Sequence, residues 1–152
     1  YDGLPRRPIL RNPWNEIECG GHYARAMSSW SLLLALSGWA YDGPARSLRL
    51  TPRYRPEQFQ CFFAGPEGWG SFSQQADDAR RQREELEVCW GRLAVKRLQV
   101  ALISGTTPRS AAVTVGGHVV AARLAVTGGE ADLQLAGEVV VEAGQALVVE
   151  FA

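Results

Sequence analysis

The sequence is poor in the residues that build metal sites and disulfide frameworks. Its 152 residues include three cysteines, two histidines and one methionine. The cysteines, Cys19, Cys61 and Cys89, are odd in number and widely spaced, and no Cys-x-x-Cys pair occurs. Zinc sites and disulfide frameworks need closely spaced or paired cysteines. We therefore predict no metal, no cofactor, and thiols that are buried or unused.

Long apolar runs and common catalytic motifs are also missing. The longest strongly apolar run, around residues 32–36, is far shorter than the roughly 20 residues of a transmembrane helix. The first residues lack the basic, apolar and small-residue order of a signal peptide. HExxH, GxSxG, P-loop and GxGxxG patterns do not occur, which excludes the usual zinc-protease, serine-hydrolase and nucleotide-binding signatures. The cellular compartment is left open.

The chain has no excess of either charge. Sixteen basic and sixteen acidic residues give a net charge of zero, so no overall field favours nucleic acid or an anionic membrane. With 46% hydrophobic and 21% charged residues, the composition is that of a globular chain. The sequence opens on Tyr1 in a Pro- and Arg-rich stretch, which we interpret as part of a longer protein.

The hydrophobic periodicity changes near residue 84. Residues 22–37 predict a helix that is apolar almost all round, as buried helices are, and Gly38 stands where a left-handed carboxy-terminal cap is expected. Residues 41–75 mix turn signals with short apolar pieces and predict loops and short strands. The polar residues 74–85 predict a solvated loop or a short surface helix.

The second part of the chain predicts six or seven strands in an antiparallel sheet or small sandwich. Glycine pairs at 116–117 and 128–129 can supply the positive backbone angles of two-residue hairpins. The predicted strands cover residues 86–90, 93–103, 111–115, 118–126, 131–135, 138–141 and 146–151.

Arg25 is the one charged residue between positions 19 and 41, inside the apolar helical pattern. Breaking a buried ion pair costs on the order of 3 to 5 kcal/mol, so a carboxylate or a ligand must face this guanidinium. In an extended segment Glu16 and Glu18 project to the same side. One interpretation is a salt bridge that ties the loop to the helix. The other is a polar grip on a sugar, whose hydroxyls need both donors and acceptors.

Glu16 and Glu18 together do not fit the catalytic pair of a glycosidase. Retaining glycosidases hold two carboxyl groups on opposite sides of the scissile bond, whereas Glu16 and Glu18 approach from one side. A second candidate is Trp69, between Gly68 and Gly70. The glycines let an indole stand out from a loop, where it either stacks on a sugar or covers a core edge.

Two long segments, NPWNEIECGGHYARAMSSWSLLLALSGWAYDG and FFAGPEGWGSFSQ, closely resemble the carboxy-terminal part of glycoside hydrolase family 116, which includes non-lysosomal glucosylceramidases and bacterial β-glucosidases. The resemblance covers residues 1–75, with a weaker echo in residues 86–98. It implies retaining hydrolysis of β-glucosides by an (α/α)₆ barrel whose nucleophile and acid/base lie upstream. It also implies that Glu16 and Arg25 bind glucose hydroxyls, with Glu18 as a structural partner.

We therefore predict a mixed α-then-β chain. Residues 1–75 would be the terminal helix and loops of an (α/α)₆ barrel, residues 76–85 a polar loop, and residues 86–152 a mainly antiparallel β extension that departs from the family pattern. The chain would carry no catalytic residue, bind a β-glucoside or glucosylated lipid together with the upstream part of the same protein, and hydrolyse nothing alone. The alternative is a stand-alone carbohydrate-binding or structural β module with Trp69 as its stacking surface.

Overall fold

A computed structural model of the chain describes residues 29–77 and 81–152. The chain divides into two compact units, Tyr1–Leu34 and Ala35–Ala152. Of the first unit the described part is residues 29–34, which begin the helix. The second unit contains all ten strands and the hydrophobic core.

The described residues form one helix followed by ten strands. In chain order they are α1 (Trp30–Ser37), β1 (Ala40–Asp42), β2 (Ser47–Leu50), β3 (Gln58–Ala64), β4 (Gly68–Ala76), β5 (Gln82–Ala101), β6 (Ala111–Val115), β7 (His118–Val120), β8 (Ala122–Thr127), β9 (Glu130–Glu142) and β10 (Ala146–Phe151).

The ten strands form a mixed sheet with two halves that are joined through β5. The first half-sheet has the order β1-β2-β5-β9-β8, and the second has the order β3-β4-β5-β10-β6-β7. All pairs are antiparallel except β2 with β5. The amino-terminal half of β5 pairs with β4 and β10, and its carboxy-terminal half pairs with β2 and β9.

Alternating side chains build one core from both half-sheets. Successive residues of a strand point to opposite faces, and β4 follows this rule, with Phe72 buried between the partly exposed Ser71 and Ser73. The buried hydrophobic residues of β2, β5 and β9 belong to the same cluster as those of β3, β4, β6 and β10. The strands therefore fold around a shared interior, as in a small sandwich.

The predicted barrel portion is wrong for the described residues. About 63% of these residues are in strands, and they include a single helix of eight residues. Residues 41–75 do contain the expected short strands, namely β2, β3, most of β4 and part of β1. These strands pair with one another and with β5, so they belong to the sheet and not to the loops of a barrel.

Three local predictions are confirmed. Gly38 directly follows α1 with φ 60°, as a left-handed cap requires. The glycine pairs at 116–117 and 128–129 all have positive φ and connect β6 to β7 and β8 to β9. Two-residue turns with both angles positive match the twist of the flanking strands.

The polar segment differs from its prediction. Residues 74–76 end β4 and residues 82–85 begin β5, so most of the predicted loop or surface helix is paired strand. Gln74, Gln82 and Glu84 are buried, although their polarity indicated exposure. Helix α1 shows the reverse, because Leu32 and Leu36 are exposed where the apolar pattern indicated burial.

Candidate functional site

The predicted glucose-binding pair, Glu16 and Arg25, lies outside the described residues, as does Glu18. Trp69 lies within them. Among residues 29–77 and 81–152, no group of three or more His, Cys, Asp or Glu side chains is placed to hold a metal ion. In the same part of the chain, no helix is long and apolar enough to cross a membrane.

Trp69 stands on β4 directly opposite Trp90 on β5. Both indoles are exposed, Trp69 by 51% and Trp90 by 64%. Directly opposed residues of an antiparallel pair have Cβ atoms about 4.5 to 5.5 Å apart, so the two indoles are neighbours on the surface. We call Trp69 and Trp90 the indole platform.

A β-bulge places the second indole on this surface. Gly70 pairs with Val88 and Trp69 pairs with Trp90, so Cys89 is the extra residue of β5. Leu86 and Val88 point into the core, and regular alternation would send residue 90 inward as well. A bulge reverses this alternation. The sequence gives Trp69 as a candidate, but Trp90 emerges only from the paired register.

Two glycines make room for the bulge, for steric reasons. A Cβ on Gly70 would lie 1.8 Å from the backbone oxygen of Glu87, and a Cβ on Gly91 would lie 2.1 Å from the backbone oxygen of Glu67. Gly91 also has φ 73°, a conformation that glycine adopts without steric cost. The glycine beside Trp69 that sequence reasoning assigned to loop freedom therefore serves close packing of β4 on β5.

An ionic cluster lies next to the platform, around the residue that precedes β4. Glu67 is two residues before Trp69, and Arg92 is two residues after Trp90. The Arg92 guanidinium donates to Glu67 Oε1 at 2.7 Å, and Arg46 donates to Glu67 Oε2 at 3.2 Å. Arg92 first, and then Arg46, lower the pKa of Glu67 below its ordinary value, so the carboxylate is ionised near neutral pH.

Arg46 ties this cluster to the first half-sheet. Its backbone has φ 52°, an uncommon angle for a residue with a side chain. Its carbonyl accepts hydrogen bonds from the backbone N–H of Lys96 at 2.7 Å and of Arg97 at 3.2 Å. Its guanidinium lies 3.6 Å from Glu138 on β9 as well as contacting Glu67. The charged groups beside the platform are thus held by both half-sheets.

Phe62 extends the apolar surface on β3. It is 51% exposed and pairs with Ser71, while Ala64 pairs with Trp69. Residues two apart on a strand share a face, so Phe62 and Trp69 are diagonal neighbours on the outer side of the second half-sheet. The arrangement offers flat aromatic surface on one side and fixed donors and acceptors on the other.

Comparisons with known proteins give distant structural neighbours. No protein-family profile and no curated protein match the sequence. The structure of BT3674, a β-arabinofuranosidase of glycoside hydrolase family 127, is 10% identical with a TM-score of 0.40, covering 70% of this chain and 18% of that one. Ara127N-Se, a family 127 β-L-arabinofuranosidase from Geobacillus stearothermophilus T6, is 16% identical with a TM-score of 0.44, covering 96% and 21%.

This chain therefore spans about a fifth of the length of those two proteins. At these identities and TM-scores the likeness assigns neither fold nor function. Both neighbours are glycoside hydrolases, and neither is a family 116 protein. The comparisons therefore do not support the resemblance to family 116.

Proposed function

We propose that this chain is a β-rich part of a glycoside-hydrolase-related protein and that its indole platform binds carbohydrate. The observation that carries the proposal is the adjacent, outward position of Trp69 and Trp90. An indole that faces water forgoes the burial that stabilises a fold. Trp69 and Trp90 are neighbours, and a bulge turns Trp90 outward. This arrangement fits a binding surface on which a ligand covers the indole faces.

The chemistry beside the platform suits a sugar. The C–H face of a pyranose or furanose ring is apolar and packs on an aromatic face, while its hydroxyls need donors and acceptors at the edge. Glu67 supplies carboxylate oxygens, and Arg92, 55% exposed in its side chain, supplies N–H donors. The ion pair fixes both groups before a ligand arrives, which reduces the entropy cost of binding.

Calorimetric titration of the 152-residue chain with β-linked gluco- and arabino-oligosaccharides tests this function. An indole buries about 150 to 250 Å² when fully covered, so covering one face contributes about 2 kcal/mol at 25 cal/mol per Å². Trp69→Ala and Trp90→Ala should therefore each weaken binding by roughly 30-fold. Tyr54→Ala is the matched control, because Tyr54 is an aromatic residue that is 55% exposed and lies outside β4 and β5, and it should bind like the parent chain.

Two results would count against the platform. Binding that is equally strong in all three variants would place the sugar elsewhere. Absence of binding to the parent chain would favour the other role open to this surface, which is contact with another part of a longer protein.

The finer assignment concerns residues 1–28 and rests on the sequence resemblance. In a full-length β-glucosidase-type enzyme, Glu16 and Arg25 would hold glucose hydroxyls remote from the scissile bond, and residues upstream of this chain would cleave it. Orientation of this kind contributes several kcal/mol to catalysis. Glu16→Ala and Arg25→Ala should then each reduce activity on glucosides strongly in the full-length enzyme, while the 152-residue chain alone should hydrolyse no aryl glucoside. Unchanged kinetics in both variants would remove this assignment.

A further inference from the structure

Three polar side chains lie in the core of the second half-sheet. Gln74 is 0%, Gln82 1% and Glu84 0% exposed. Gln74 on β4 pairs directly with Glu84 on β5, and Gln82 is two residues before Glu84, so all three share the inward face. Polar groups in such a place are costly unless each has a hydrogen-bond partner.

Most of their polar atoms have one. Gln82 Nε2 donates to Glu84 Oε1 at 2.7 Å and to the carbonyl of Ala101 at 2.9 Å, and Gln82 Oε1 accepts from the backbone N–H of Ile103 at 2.8 Å. Gln74 Nε2 donates to the carbonyl of Pro56 at 2.9 Å. Two buried oxygens are left without a partner, Gln74 Oε1 and Glu84 Oε2.

These two atoms cannot satisfy each other while Glu84 is ionised. An amide oxygen accepts only, and an ionised carboxylate oxygen accepts only. A proton on Glu84 Oε2 changes this, since it turns that oxygen into a donor opposite an acceptor on the directly paired residue. A single hydrogen bond between these two oxygens would then use both unpaired atoms.

Among the described residues, no buried cation accompanies Glu84 to keep it ionised. On β10 the residue paired with Glu84 is Val149. Arg83 and Glu85 on β5 and Glu150 on β10 are on the opposite, partly exposed face, where Arg83 contacts both acids. Within residues 29–77 and 81–152, the buried set contains no Lys, Arg or His, and its other polar members besides the two glutamines, Ser37 and Thr106, carry no charge.

The protonation equilibrium agrees with this geometry. Burial raises the pKa of Glu84 well above its ordinary value of 4.5, and the hydrogen bond from Gln82 offsets that only in part. An isolated carboxylate in an apolar interior is so unfavourable that such groups generally become neutral instead.

We propose that Glu84 is a neutral carboxylic acid in the folded protein, that its O–H donates to Gln74 Oε1, and that loss of this proton at higher pH releases the pairing of β4 with β5. The Glu84–Gln74 pair would make the pairing of β4 with β5 depend on pH. These two strands also carry Trp69 and Trp90, but the proposal rests on the buried polar residues and does not depend on carbohydrate binding.

The protonation of Glu84 makes the stability of the fold fall as pH rises. Glu84 has a higher pKa in the folded than in the unfolded chain, so its contribution to stability is complete below the unfolded pKa of 4.5. The contribution is lost as pH rises towards the folded pKa, because unfolding in that range releases a proton. The unfolding equilibrium constant should increase about tenfold per pH unit, or about 1.4 kcal/mol.

Urea denaturation of the full chain at successive pH values above the unfolded pKa of 4.5 measures this slope. In Glu84→Gln the amide can donate to Gln74 Oε1 at every pH, so the tenfold dependence per unit should vanish. Glu87→Gln is the matched control, because Glu87 is an exposed residue of the same strand, and it should keep the parent slope. Equal slopes in the parent chain and Glu84→Gln would overturn the proposal.

A second measurement does not depend on the variant folding. Carbon-13 NMR of the parent chain should show that the Glu84 carboxyl, assigned through the backbone, stays protonated at pH values above the ordinary pKa of glutamic acid. A Glu84 carboxyl that titrates at the ordinary pKa of glutamic acid would equally overturn the assignment.

Discussion

Replacing Gly70 by alanine tests whether close packing fixes the bulge beside the platform. An added Cβ would lie 1.8 Å from the backbone oxygen of Glu87 and 3.0 Å from Cε1 of Phe63. Cβ contacts below 3.0 Å are essentially never seen, so the two strands must separate locally by at least 1.2 Å. Glu87 cannot simply retreat, because β5 holds it between Ser71 on β4 and Ala146 on β10.

The cost of this separation should exceed ordinary overpacking. One extra methylene in a well-packed core costs about 1 to 3 kcal/mol when side chains can adjust, whereas here the obstacle is backbone in a central strand. We expect Gly70→Ala to reduce the free energy of unfolding by more than about 3 kcal/mol, measured by urea denaturation with tryptophan fluorescence.

Gly137→Ala is the control for this experiment. Gly137 lies in β9 with no atom within 4 Å of an added Cβ, and its φ is not positive. Alanine there should be neutral or stabilise by up to about 1 kcal/mol, since glycine weakens a strand. A Gly70→Ala chain within about 0.5 kcal/mol of the parent would show that the bulge can relax and that the steric reasoning is wrong.

Three further substitutions probe the core, an ion pair and a turn. Phe72→Ala removes a fully buried ring and should cost about 3 to 5 kcal/mol in urea denaturation; a change below about 1 kcal/mol would mean that Phe72 does not anchor the core. Arg97 lowers the pKa of Asp132 below 3.8, so this pair stabilises above that pH and loses its effect as pH falls through the folded pKa; Asp132→Asn should flatten the acid limb of a pH–stability profile, and an unchanged limb would argue against the pair. Gly117→Ala, at φ 82°, should lower stability by about 1 kcal/mol in thermal melting, whereas an unchanged or higher melting temperature would contradict the turn type.

The carboxy-terminal half of the fold is predictable because its signals are local. Residues 111–115 and 146–151 alternate or run apolar between glycine turns, and the structure gives β6 and β10 with those bounds. The glycine pairs fix two hairpins by backbone chemistry alone. The long strand β5 was predicted as two strands, because Gly91 interrupts its pattern although the chain continues through it.

The amino-terminal half is not predictable in the same way. Strands β1 and β2 have three and four residues, too few for a reliable alternation, and they are stabilised by pairing with distant segments. The apolar pattern of α1 indicated a buried helix, and the barrel was implied only by the resemblance to family 116. The polar run that contains Gln82 and Glu84 predicted a solvent-exposed segment. Gln82 is buried because it forms hydrogen bonds with the backbone of Ala101 and Ile103, about twenty residues away in sequence, and the local pattern does not show such distant partners.

In the candidate site, too, some residues could be identified from the local sequence and others only from the strand pairing. Trp69 could be selected from the sequence because glycines flank it, although they serve packing rather than loop freedom. Trp90 could not, since its orientation depends on a register shift between two strands. The partners of Glu67 were equally hidden, because Arg46 and Arg92 are 21 and 25 residues from it in sequence.

Strand β5 belongs to both half-sheets, and this affects how the domain unfolds. Gly91 is the residue at which this strand leaves β4 and β10 and joins β2 and β9. Because the two halves have one backbone in common there, neither can lose its order while the other keeps it, and melting should be a single cooperative step. A backbone cut at the 116–117 or 128–129 turn should keep that cooperativity, whereas a cut at Gly91 should divide it.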